Sequence, residues 1–214
     1  MKALITLTFA MTMLLLQPFA TAKSQSKEIQ SLLNAAAAGD NKKVASLLKN
    51  KSNLNAKDAG GNTALMLAIS NDHKDTAKLI LEKNPDVNIK NQEGETALFA
   101  ALVSDKADIA KTLIEQGASL EDVGGEGESA LFMAATTNQT DIMEIVLKKA
   151  PQLLNKSDDH GTTPLMEAAK FGGEKTVKIL LDAGADKSLK NEDGRTALDI
   201  ATKARNTSAL KYLR

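Results

Sequence analysis

Apolar residues along this chain are of two kinds, set at fixed places. Small ones (Ala68, Ala101, Ala134, Ala135, Ala168, Ala169 and Ala201) recur shortly after a Thr or Ser. Larger ones arrive later as pairs: Leu47 and Leu48, Ile80 and Leu81, Leu113 and Ile114, Val146 and Leu147, Leu180 and Leu181. Both kinds lie in stretches of helical spacing, so the pattern predicts two helices per unit. Thr63, Thr96, Ser129, Thr163 and Thr196 are placed to N-cap the first helix, because a hydroxyl oxygen there accepts from amides with no intrahelical partner. Pro164 takes the first helical position, where its missing N–H costs nothing. The alanine face lets first helices approach closely, and the paired aliphatics sit where a second helix meets the next unit. Gly117, Gly184 and Asn84 fall just past the second helix and suit a left-handed cap. Lys51 and Ala150 hold the same place in two other copies and suit it less, which predicts less regular turns there.

The units follow a near-constant period. GNTAL at 61, GETAL at 94, GESAL at 127, GTTPL at 161 and GRTAL at 194 place their glycines 33, 33, 34 and 33 residues apart. A period of this length is the mark of a repeat architecture. The segment TPLMEAAKFGGEKTVKILLDAGADKSLKNEDG, Thr163 to Gly194, resembles the ankyrin repeat almost throughout, and the copies from Thr63, Thr96 and Ser129 resemble it well. A degenerate copy, SLLNAAAAGDNKKVASLLKNKSNLNAKDAGG, runs from Ser31 to Gly61 in the same register. The resemblance implies an all-α ankyrin-repeat solenoid: helix-turn-helix units, each followed by a β-turn finger. It divides the chain into an N-terminal capping repeat at 23–62, four central repeats at 63–95, 96–128, 129–162 and 163–195, and a truncated capping repeat at 196–214. No unit can bury its apolar face alone, so the copies stack into one quasi-one-dimensional core. Lysines 42, 43, 49 and 51 at one end, and Lys203, Arg205, Lys211 and Arg214 at the other, fit solvated capping faces.

Residues 1–22 read as a signal peptide. Lys2 gives a positive start, an uncharged and mostly apolar run extends from Ala3 to Leu16, and Pro18 precedes the small triplet Ala20-Thr21-Ala22. Cleavage is expected after Ala22. The run is shorter than the roughly 20 apolar residues that span a bilayer, which argues against a retained anchor. Cysteine is absent from the chain. That excludes disulfides, thiol catalysis and zinc-thiolate sites, and it suits a bacterial periplasmic or secreted protein stabilised by its repeat core.

Charge narrows the partner. Lys plus Arg is 27 and Asp plus Glu is 27; losing Lys2 with the signal leaves 26 against 27. Nucleic-acid binders carry a basic excess on one face and stack bases on aromatic side chains. Here the charge is balanced and aromatics are 3% of residues, so no nucleic-acid partner is expected.

Nor is chemistry expected. His73 and His160, the two histidines, lie more than two repeats apart, one at a helix-helix turn and one at a finger tip, and both read as solvated turn residues. They cannot share a metal, and H-E-x-x-H, Gly-x-Ser-x-Gly and P-loop patterns are missing. VGGEGES at 123–129 is glycine-rich, but Glu126 and Glu128 would repel phosphate and no Lys follows the last Gly, so it reads as a mobile finger in which Gly124 replaces the Asp58, Asn91 or Asn191 of other copies. The carboxylate pairs Asp158-Asp159 and Glu192-Asp193 read as solvated turn charges. The chain is therefore expected to be no enzyme, with no catalytic residue, cofactor or metal site.

Similarity to ankyrin repeats implies binding through the finger tips and the concave face of the first helices. The residues so assigned are Glu93, Glu95, Glu126, Glu128, Asp159, His160 and Arg195 on the fingers, and Met133, Thr136, Thr137, Glu167, Lys170 and Phe171 on the inner helices. The finger row is acidic, while Lys78, Lys111, Lys148, Lys149 and Lys178 fall on the outer helices. This separation favours a protein partner with a basic patch. Phe171 is expected either as an exposed anchor or folded over Gly172-Gly173; Met133 is expected as a lesser anchor or as core filler. The resemblance also implies immunity proteins against delivered toxins, or accessory partners of oxidative-stress enzymes, as roles of exported bacterial members. A hydrolase or transferase with a groove site, and a self-associating structural protein, are the competing classes. The mature chain is expected to be a monomer before binding, with no membrane contact.

Overall fold

The structure is a computed structural model, and it describes residues 26–49 and 53–214. The signal segment, its cleavage point and the turn at Lys51 lie outside the described residues. Helix α1 (residues 26–37) pairs with α2 (Asn41–Leu47), and five further hairpins follow. These are α3 (Ala64–Ser70) with α4 (Lys74–Leu81), and α5 (Ala97–Val103) with α6 (Ala107–Glu115). Then come α7 (Ala130–Thr136) with α8 (Thr140–Lys149), α9 (Pro164–Phe171) with α10 (Glu174–Asp182), and α11 (Ala197–Ala204) with α12 (Thr207–Leu213). Among the described residues there is no strand beyond an isolated bridge between Lys57 and Thr63. The chain is thus an all-α solenoid.

Each first helix begins as its hydroxyl dictates. The side chains of Thr63, Thr96, Ser129, Thr163 and Thr196 accept from the amides of Met66, Phe99, Phe132, Met166 and Asp199 at 3.1–3.3 Å. Beyond each cap the alanines disappear from solvent completely, which lets α3, α5, α7, α9 and α11 pack in file. Ile80, Leu113, Val146 and Leu180 are likewise fully buried, closing the outer file α4, α6, α8, α10 and α12.

Neighbouring units are clipped at the hairpin turn, ten residues after the capping hydroxyl. His73 is half-buried there, with Nε2 at 3.0 Å from the Ala37 carbonyl of the preceding unit. Gln139 donates to the Leu102 carbonyl at 2.6 Å, and Asn206 donates to the Ala169 and Gly172 carbonyls at 3.2 and 2.9 Å. His73 is therefore not the solvated turn residue that the sequence suggests. The last carbonyls of a first helix need donors, and the next unit supplies them.

Gly117, Gly184 and Asn84 do adopt positive φ past their second helices. Ala150 does not: its φ stays negative (−141°, with ψ 66°) and it leads into a 3-10 helix, Pro151–Asn155, with Leu153 buried. A β-carbon opposes the left-handed cap, and Pro151 starts the alternative turn.

Candidate functional site

Fingers and inner helices together form one face, and the fingers are built in series. An Asp or Asn side chain opens most of them: Asp58 Oδ1 accepts from the amides of Gly60 and Asn62, Asn91 Oδ1 from Glu93 and Glu95, and Asp158 Oδ1 from His160 and Thr162. The motif glycine then turns the chain at positive φ, 73–83° across the five copies. Backbone bonds join successive tips, from Gln92 N–H to the Gly60 carbonyl, Asp159 N–H to Glu126 and Glu192 N–H to His160, at 2.9–3.0 Å.

The third finger departs from the others and compensates. Gly124 offers no side-chain acceptor, and the Glu128 carboxylate replaces it by accepting from the Glu126 amide at 2.8 Å. Gly125 lies so close to the preceding finger that a β-carbon there would stand 2.0 Å from the Glu93 carbonyl oxygen. Val123 is fully buried, and its carbonyl accepts both the amide and the hydroxyl of Thr96. The glycine run is a docked finger and not a phosphate cradle.

The residues assigned from sequence separate into three groups. Glu93, Glu126, Asp159, His160, Lys170 and Phe171 are exposed and share the face. Glu95, Glu128, Arg195, Thr136 and Thr137 are half-buried and already engaged. Glu95 accepts from Asn91 at 2.8 Å, Arg195 pairs with Asp193 at 2.8 Å, and the two threonine hydroxyls donate back to the Phe132 and Met133 carbonyls. Met133 and Glu167 are only 7% and 9% exposed. Phe171 does not fold over the glycines: it is 55% exposed, with the Lys170 ammonium 4.4 Å above its ring. Among the described residues Val103, two units earlier, is the other large apolar side chain in solvent, at 53%.

Electrostatically, His160 stands between two carboxylates, Glu192 at 3.4 Å and Glu126 at 3.8 Å. The hydrogen bond that its ring N–H donates to Glu192 raises its pKa above the ordinary imidazole value, and the charges of Glu192, Asp158 and Glu126 act the same way. The outer lysines are less free than their count suggests. Lys74 and Lys78 meet Asp108 at 2.7 and 3.5 Å, Lys111 meets Asp141 at 3.3 Å, and Lys211 meets Glu174 at 3.1 Å, each pair bridging adjacent units.

Glu167, assigned to the inner helices from sequence, differs from its counterparts in the other copies. The residue four places after each capping hydroxyl is Leu67, Ala100, Met133, Glu167 and Ile200, a column of apolar residues broken by a single carboxylate. Glu167 lines a cleft of about 410 Å³ between α9 and α11, with Lys170, Asp193, Arg195, Ile200 and Lys203 among the other walls. Comparing the copies position by position would have exposed it.

Among the described residues no group of three or more His, Asp or Glu side chains is placed to hold a metal, and no helix is long and apolar enough to cross a membrane. Stacked hairpins and docked fingers define a repeat scaffold of the kind that binds proteins. The ankyrin-repeat family model (three copies) matches residues 10–91, 32–123, 84–157, 119–191 and 152–214, and the chain belongs to that family.

Among solved structures, a chain from the complex of the predatory endopeptidase Bd0816 of Bdellovibrio bacteriovorus with immunity protein Bd3460 is 39% identical, with a TM-score of 0.77 over 86% of this chain and 96% of that one. An ankyrin repeat domain from Acinetobacter baumannii is 28% identical, with a TM-score of 0.73 over 85% of this chain and 95% of that one. A human NAD-capped RNA hydrolase, NUDT12, is 46% identical over 52 residues, 24% of this chain. The chain spans only 11% of that hydrolase's length.

Proposed function

We propose that this chain is a non-enzymatic inhibitor of an exported endopeptidase, held in the bacterial periplasm or secreted after cleavage behind Ala22. The observation that carries the reading is its 39% identity, along 86% of its length, to a chain of the endopeptidase–immunity protein complex. Scaffold and surface agree with it. The exposed carboxylates Glu93, Glu126 and Asp159 favour a partner with a basic patch, which they would steer and orient. Phe171 stands clear as an aromatic anchor at the same face. The mature chain is monomeric until it meets that partner.

The test uses the full-length gene, tagged at the C-terminus and expressed with its own signal. The tagged chain should lack residues 1–22, leave the cell with the periplasmic fraction, and co-purify with an endopeptidase whose activity falls to the background at equimolar chain. Paired substitution of Phe171→Ala and Glu126→Lys should restore that activity. A captured enzyme that stays fully active, or capture of a non-peptidase alone, would refute the assignment.

A further inference from the structure

The cleft between α9 and α11 holds its one deep charge at the floor. Glu167 is 9% exposed, and its nearest side-chain donor is the Thr136 hydroxyl, 3.5 Å away at the outer limit of a hydrogen bond. Among the described residues no cation lies within 4.0 Å of it. Lys170, one turn along the same helix, holds its ammonium over the Phe171 ring instead, and Arg195 is paired with Asp193. Burial accordingly pushes the Glu167 carboxyl above the usual carboxylate range, against a smaller opposing pull from Lys170. Other copies place Leu67, Ala100, Met133 and Ile200 at this position, so the core does not need a carboxylate there.

We infer that this cleft is a receptor for one lysine or arginine side chain of the protein partner, whose cationic head pairs with Glu167 while its methylene stem lies on Ile200 and Ala204. The inference rests on the reading that this face grips a protein, and it adds the residue type that the partner presents. Depth decides between a cation and an anion. Lys170 and Lys203 are exposed, where an ion pair contributes little, whereas Glu167 is desolvated, so that a cation reaching it meets an uncompensated charge. Ile200 and Ala204 line the same cleft and give the aliphatic stem an apolar wall, the arrangement long basic side chains favour.

The subsite can be tested without the partner. The mature chain, labelled with carboxyl-13C glutamate, is titrated with N-acetylarginine amide and N-acetyllysine amide, with N-acetylglutamine amide and N-acetylaspartate amide as controls. Either cationic probe should shift the Glu167 resonance saturably and lower its titration midpoint, and the controls should not. E167Q should lose the response while unfolding at the wild-type temperature or above, since the Gln carbonyl can keep the long Thr136 contact. In the complex with the endopeptidase, E167Q should weaken binding about 30-fold or more, the least expected for removing one member of a buried charge pair. No response to either cationic probe, a response to the aspartate derivative instead, or a clear fall in the melting temperature of E167Q would each overturn the receptor. Because the probes need no protein, the subsite is decided there even if the endopeptidase reading fails.

Discussion

Leu180→Ala tests both the core and the way the stack shares its stability. Leu180 is fully buried on α10, which packs against α8, α9 and α12. Burying a leucine side chain stabilises by about 1.5–3 kcal/mol, and truncation adds a term for the cavity that neighbours cannot close. Collapse is hindered here. Asn138 accepts from the Gly173 amide and the Thr176 hydroxyl at 2.7 Å each, and Glu174 at the start of α10 is held by Lys211 and by the Tyr212 hydroxyl of α12. The cost should therefore reach roughly 3–4 kcal/mol, within the usual 2–5 for such truncations. At about 2–4 °C per kcal/mol for a domain of this size, the melting temperature should fall by roughly 6–16 °C.

Linear coupling adds a second, sharper expectation. Each unit is stabilised mainly by its immediate neighbours, so damage at α10 weakens the hold on the final unit more than on α3 or α5. The chain carries one tyrosine and no tryptophan, and Tyr212 lies on α12. Its fluorescence therefore reports the C-terminal unit, while far-UV circular dichroism reports all the helices. In urea the two signals should coincide for the wild type; in Leu180→Ala the tyrosine transition should come first. A thermal shift below one degree would show that Leu180 is not internal. Coincident transitions in the variant would refute the nearest-neighbour argument.

Gly125→Ala should destabilise by about 1–3 kcal/mol, because the added methyl must displace the Glu93 carbonyl, and chemical denaturation will read it. Ser129→Ala should cost about 1 kcal/mol by freeing the Phe132 amide, with Ser129→Thr near wild type. The His160 midpoint, followed by NMR, should lie above 6.5 and fall in Glu192→Gln; equal midpoints would dismiss the pairing. Since the folded pKa is the raised one, stability from His160 is complete below about pH 6.5 and is lost as pH rises through the folded value.

The repeat was legible because each unit restates it in local chemistry. A hydroxyl cap, an alanine face and a glycine turn each constrain only a few residues, so periodicity alone assigns them. What stayed hidden depends on the neighbour. His73 looks like a turn residue until the Ala37 carbonyl of the previous unit comes within 3.0 Å. Gly124 looks like a loosened finger until Glu128 supplies the missing acceptor from four residues on. Met133 and Phe171 belong to similar helix faces, yet one is enclosed and the other stands in solvent. Such differences arise from stacking, which one unit's sequence does not express.

Charge on the proposed binding face is also narrower than the sequence count implies. Glu95 and Glu128 are spent inside their own fingers, and Arg195 is neutralised by Asp193. What remains exposed is Glu93, Glu126, Asp159 and Glu192, with His160 between the last finger carboxylates. Exposed charges of this kind act through water and are screened over about 10 Å at moderate salt, so they guide approach and fix register more than they hold a complex. Retention must come from groups that lose water on contact. On this face those are Phe171, already bare, and Glu167, already desolvated. In the proposed complex, the finger row sets how fast a basic partner arrives and in which orientation, and the cleft beside α9 sets how long it stays.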